Sequence, residues 1–144
     1  MPYTKLWIHL IWSTKDREAY IIKELKPKLL SHIRENAKLK NIHIDFINCV
    51  KDHIHILINN HPDQKLSDVI RLIKGESSFW INKNKLIKFK FEWQEEFIAV
   101  SVSESVVPKV REYIKKQEEH HKTKSFKEEY DLFIKNYGFN KFTG

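Results

Sequence analysis

The sequence predicts an α+β domain, and three observations predict it. Four short runs are rich in Ile, Val and aromatic residues, two amphipathic helical stripes separate them, and a two-residue reversal joins the middle pair of runs. Thr4 to Ser13 (TKLWIHLIWS) reads as the first strand, its Trp and Ile suiting a pleated, half-buried surface. Ile21 to Leu39 reads as a helix, because Ile22, Leu25, Leu29, Ile33 and Ala37 recur every three to four residues. Pro27 falls early in it, where a missing N–H is tolerated. Ile42 to Val50 is a second strand, expected to carry Ile42, Ile44 and Phe46 on one side and His43 and Asp45 on the other. Lys51-Asp52 turns it into a third strand ending at Asn59, and strands joined this closely pair antiparallel. Leu66 to Ile81 gives a second helix with Leu66, Val69, Ile70, Ile73 and Phe79 inward. After a basic, aromatic stretch from Asn82 to Glu96, Phe97 to Val102 makes a fourth strand. Pro108 opens a helix through roughly His120, and Phe126 to Asn136 supports a last one. The order βαββαβ with appended C-terminal helices is the ferredoxin-like plan. It is a four-stranded antiparallel sheet with helices on one face, the other face left free for a ligand.

A chain of 144 residues fits one domain, taken as 1–144. Nine Phe and four Trp support a true core, while three Gly and four Pro argue against a disordered chain. The net charge of +7 favours a polyanionic partner, nucleic acid before an anionic membrane. Cys49, alone, cannot form an internal disulfide and fits a reducing, cytoplasmic setting. Neither a signal peptide nor a membrane partner is expected. The first apolar run is broken by His9, and no uncharged stretch approaches the roughly 20 residues a span requires.

The most informative stretch is Asp52-His53-Ile54-His55-Ile56-Leu57-Ile58. On a strand, His53 and His55 share one face while Ile54, Ile56 and Ile58 share the other, so the isoleucines seat the strand and the imidazoles converge. Two histidines make an open site for a divalent metal, and open coordination positions serve catalysis better than structure. Asp52 faces away if the strand is regular there and reads as a turn residue. An isolated H-x-H is a weak signal that two solvated histidines would also satisfy.

A tyrosine helix at about 106–121 supplies the second constellation. Tyr113 and Gln117 stand four apart on one face, a phenol beside an amide oxygen. A phenolate can attack phosphorus and conserve the bond as a phosphotyrosine when a metal polarises the phosphoryl oxygens. An ordinary phenol ionises near pH 10, so nearby positive charge or a base is needed. Arg111, Lys115 and Lys116 are candidates.

Lys65, Arg71, Lys74, Lys83, Lys85, Lys88 and Lys90 interleave with Phe79, Trp80, Phe89, Phe91 and Trp93. Such a surface suits single-stranded or hairpin nucleic acid, whose bases stack on rings. Lys15, Arg17, Arg71, Lys74, Trp80, Lys83, Lys85, Arg111 and Lys116 are therefore the candidate nucleic-acid contacts.

Together these segments resemble the single-tyrosine HUH transposases of insertion sequences that move as single-stranded DNA. Trp12-Ser13-Thr14-Lys15-Asp16-Arg17 is similar to that family's W-x-T-K-x-R segment, and Asp52 to Leu57 to its D-H-x-H core. Ser67 to Gly75 resembles its S-x-x-x-x-x-x-K-G helix, with Ser77-Ser78-Phe79-Trp80 as the continuation. Trp93-Gln94 with Phe97 to Val102 resembles its W-Q-x-x-x-x-A-x-S-V strand, and Tyr113 to Gln117 matches Y-x-x-x-Q. Lys51 stands where proline commonly precedes the D-H-x-H core.

The resemblance implies Tyr113 as nucleophile and His53, His55 and Gln117 as ligands of a divalent metal, Mg2+ or Mn2+. It also implies a homodimer acting on single-stranded DNA with a hairpin at the element ends. In the implied reaction Tyr113 attacks a scissile phosphate, leaves a 5′-phosphotyrosine, and a returning 3′-hydroxyl rejoins the strand. Two other functions satisfy parts of the pattern. One is a non-catalytic single-stranded nucleic-acid-binding module, the other a metal-dependent phosphoesterase that uses water.

Overall fold

A computed structural model describes residues 3–121 and 124–137. Its strands are β1 (Trp7–Ser13), β2 (His43–Val50), β3 (His53–Asn59) and β4 (Ile98–Ser101). Helix α1 (Leu25–Leu39) separates β1 from β2, and α2 (Leu66–Lys83) separates β3 from β4. Helices α3 (Val107–Lys115), α4 (Gln117–His120) and α5 (Phe126–Tyr137) follow. The strands form one sheet in the order β2-β3-β1-β4 with every neighbour antiparallel, which is the predicted α+β plan. No helix among the described residues is long and apolar enough to cross a membrane.

Strand alternation sorts the sheet into two chemically different faces. Leu10 and Trp12 of β1 with Ile54, Ile56 and Ile58 of β3 meet Leu25, Leu29, Ile33 and Ala37 of α1 and Val69, Ile70, Ile73 and Ile81 of α2. This is the main core. Ile54 is fully buried in it, directly behind the two histidines. Ile54→Ala is expected to cost about 2–5 kcal/mol in urea unfolding; a loss below about 1 kcal/mol would contradict this packing.

The opposite face presents Trp7, His9, Ile11 and Ser13 against His53, His55 and Leu57. It was expected to be open, yet the appended helices cover it. Val107 and Ile114 of α3 pack on Trp7 and Leu57, and Phe126 of α5 packs on Ile11 and Ile98.

Four side chains depart from the periodicity reading, each for a local reason: Ile22 precedes the start of α1 at Leu25 and is exposed, and the other three lie on β2, on α2 and at the start of β3. The β2–β3 register shifts between Ile44 and Phe46, so a bulge at Asp45 inverts the alternation. Ile47 and Cys49 join the main core, while Phe46 turns to the α3 side. The Arg111 guanidinium then donates Nε and Nη2 to the Asp45 carboxylate at 2.7 and 2.8 Å, and Asn48 Nδ2 donates to the Ile114 carbonyl at 2.8 Å. The bulge thus anchors α3 across the sheet. On α2, Ser77 rather than Phe79 continues the Ile73–Ile81 stripe at four-residue steps, leaving Phe79 exposed. Asp52 does not turn away: its Oδ1 lies 2.8 Å from His53 Nδ1.

Candidate active site

The histidine strand delivers both imidazoles to the covered face, where each is fully buried. α5 brings Glu129 onto them. His55 Nε2 lies 3.1 Å from Glu129 Oε1, and His53 Nε2 lies 3.5 Å from Glu129 Oε2. Tyr113 Oη donates a hydrogen bond to Glu129 Oε1. The Tyr113 ring stands edge-on to His55 at 5.7 Å, so one chain gathers the phenol and both imidazoles.

The helical path breaks at Lys116, whose φ of −93° and ψ of 21° close α3 and start α4. Gln117 is fully buried just after the break. Its Oε1 lies 3.4 Å from His53 Nε2 and 3.2 Å from His121 Nε2, while its Nε2 donates to the Tyr113 carbonyl at 3.1 Å. His121 Nε2 also reaches Glu129 Oε2 at 2.9 Å.

Burial and pairing set the charges. Burial pulls the His55 pKa down to about 4 and that of His9 down to about 3. His53 is also penalised by burial, but Asp52 and Glu129 outweigh that and raise it. Burial alone would lift the Glu129 carboxyl, yet His53, His55 and Tyr113 hold it well below the usual carboxylate range.

His53, His55 and Glu129 offer ligand atoms within 4.8 Å of one another and could hold a metal ion. The donor set fits one. His55 Nε2 is buried without a hydrogen bond despite its closeness to Glu129, and two imidazole nitrogens plus a carboxylate oxygen suit a divalent cation with positions left open. Glu129, His121 and His9 were not singled out as site residues from sequence. Glu129 carried a usable signal: it shares the apolar stripe of Phe126, Tyr130 and Phe133, where an unpaired carboxylate is costly.

The basic candidates lie elsewhere and divide by their partners. Lys74 donates to the carbonyls of Gln94 and Glu95 at 2.7 and 2.9 Å, and burial lowers it to about 8. Trp80 stacks on His32 at 3.9 Å and packs on the main core. Arg111 is committed to Asp45. Arg71 pairs with Asp68 at 2.9 Å, Lys15 sits 3.4 Å from Glu92, and Lys116 lies 3.7 Å from Glu112, all three cations on the surface. Lys83 and Lys85 are exposed at the end of α2. Arg17 lies over the rings of Phe126 and Tyr130 and lines a cavity of about 320 Å³ with Gln94 and Phe97.

A family model described as "Transposase IS200 like" matches residues 2–117, a span that contains both histidines, Tyr113 and Gln117. The chain belongs to the IS200-like transposase family. This IS200-like chain is 26% identical over 119 residues to the ISDra2 transposase TnpA of Deinococcus radiodurans, covering 78% of the chain and 84% of that protein. It is 28% identical over 119 residues to the transposase for insertion sequence element IS200 of Salmonella typhimurium, covering 79% and 78%. Two solved structures share the fold. A Deinococcus radiodurans R1 protein solved as a candidate transposase superposes with a TM-score of 0.65 at 24% identity, covering 81% of this chain and 93% of that one. A REP-associated tyrosine transposase bound to a REP hairpin gives 0.63 at 17% identity, covering 84% and 72%. Helix α5 and its Glu129 lie beyond the span matched by the family model.

Proposed function

We propose that this IS200-like transposase cuts and rejoins single-stranded DNA beside hairpins, with Tyr113 as the nucleophile and a 5′-phosphotyrosine as the intermediate. The observation that carries the reading is the hydrogen bond from Tyr113 Oη to Glu129, a carboxylate that itself stands between His53 and His55. His53, His55 and Gln117, joined by Glu129, would hold a divalent cation, Mg2+ or Mn2+. Such a cation supplies charge that polarises the scissile phosphate.

The protein's own groups do the rest. Glu129 Oε1 orients the phenol and accepts its hydrogen bond, the direction in which the proton leaves when oxygen attacks phosphorus. The attack forms a Tyr–O–P bond and expels a 3′-hydroxyl; a 3′-hydroxyl from another cut strand then reverses it onto new DNA. One phosphodiester is exchanged for another, so no external energy source is required. Gln117 Nε2, bonded to the Tyr113 carbonyl, ties the nucleophile's helix to the ligand cluster. Exposed Lys15, Arg17, Arg71, Lys83, Lys85 and Lys116 are the cations left to engage DNA phosphates. The hairpin partner is supported by the relative solved with a REP hairpin, and a homodimer is what the resemblance to the single-tyrosine family implies.

Incubating the protein with a hairpin-bearing single strand and Mn2+ should yield a covalent protein–DNA band on a denaturing gel. EDTA should remove it and added Mn2+ restore it. Cleavage without attachment would replace the reading with a water-using phosphoesterase, and binding without cleavage with a non-catalytic module.

A further inference from the structure

His9 is a buried histidine that the proposed chemistry leaves without a task. It is 5% exposed, sits on β1 diagonally from His55 on β3, and places its Nε2 2.9 Å from His55 Nδ1. The two rings lie 5.2 Å apart and tilted by 34°. Two neutral imidazoles can share that contact only if one donates and the other accepts. The other nitrogen of His55 decides which. His55 Nε2 lies 3.1 Å from Glu129 Oε1 but out of line for a hydrogen bond, so a proton there would be poorly met, whereas a proton on Nδ1 has an acceptor in His9 at 2.9 Å. His9 also lines a cavity of about 410 Å³ with Tyr113, His120 and Asn136.

We propose that His9 is the positioning residue of the site: its Nε2 accepts the Nδ1–H of His55 and so holds His55 in the tautomer whose Nε2 is bare toward Glu129. Its purpose rests on the metal-site reading, because a bare Nε2 is what a ligating imidazole must present, and groups behind metal-binding histidines fix tautomer and ring orientation. Without His9, His55 rotates or changes tautomer, and the ligand set loses one nitrogen.

The test reads protonation directly. Nitrogen NMR of the wild-type protein, metal-free and loaded with Zn2+ as a diamagnetic probe, should show the proton on His55 Nδ1 and a bare His9 Nε2. His9→Phe, which keeps a ring and removes the acceptor, should raise the Mn2+ dissociation constant about 10–100-fold. His9→Gln, which returns an oxygen acceptor at similar reach, should stay within about threefold of wild type. A proton found on His9 Nε2 would overturn the assignment. So would His9→Phe binding Mn2+ as well as wild type, or His9→Gln losing as much affinity as His9→Phe. If His9→Phe does not fold, the wild-type nitrogen shifts and His9→Gln decide. If the wild-type protein binds neither Zn2+ nor Mn2+, the metal-site reading fails, while the metal-free spectrum still decides the His9–His55 contact.

Discussion

Tyr113→Phe is expected to abolish covalent attachment and to lower strand cleavage by on the order of 10⁴-fold or more, as removal of a nucleophile does. Hairpin binding should change by less than about threefold. Phe keeps the ring that faces His55 at 5.7 Å and that contacts His9, so packing is preserved and only the hydroxyl is removed. The lost hydrogen bond to Glu129 leaves a carboxylate still flanked by His53, His55 and His121. Measuring cleavage and binding on the same hairpin strand separates the roles. Cleavage that survives assigns the chemistry to water. A loss of hairpin binding equal to the loss of cleavage makes Tyr113 a structural residue.

The ligand cluster gives the second large effect. His53→Ala and His55→Ala should each eliminate metal-dependent cleavage, by about 10²-fold or more, and each should weaken Mn2+ binding measured by calorimetry. Glu129→Gln keeps the side-chain shape and removes the negative charge that two imidazoles and a phenol now surround. It should therefore weaken Mn2+ by at least about tenfold with little change in fold. Glu129→Gln binding Mn2+ as tightly as wild type would remove Glu129 from the ligand set and leave His53, His55 and Gln117. Full activity in either alanine variant would remove the histidines from it.

Much of this was readable from residue order, and the exceptions have physical causes. The sheet and both sheet-packing helices follow from periods of two and of 3.6, because the residues that set those periods, such as Ile54, Ile56, Leu29 and Ile73, are the ones buried. The convergence of His53 and His55 followed from alternation alone. What alternation cannot carry is a bulge: one extra residue at Asp45 sent Phe46 to the other face, and nothing in the run IHIDFINCV marks it. The same bulge commits Arg111 to Asp45, so a residue chosen for its charge turns out to hold α3 in place.

The covering of the histidine face was the larger omission. An amphipathic stripe says that α5 must bury a face and not which surface receives it. Glu129 belongs to that stripe but lies past the last motif residue, Gln117, so family resemblance could not name it. His9 was hidden differently: its strand position placed it on the histidine face, but the diagonal approach to His55 is visible only once β1 and β3 are in register. Lys74 and Trp80 show how composition overstates a basic, aromatic surface. A lysine can be spent holding a loop's carbonyls and a tryptophan covering a histidine.

The most direct test of the phosphotyrosine account is peptide mapping of the trapped protein–DNA species. A 5′-labelled hairpin strand carries its scissile phosphate into the reaction with Mn2+, and the digest is read by mass spectrometry for nucleotide attached through phosphate. The account predicts the added mass on the peptide containing Tyr113, with the 3′-hydroxyl on the released fragment. Attachment mapped to another residue, or cut DNA with no attached peptide, would contradict it.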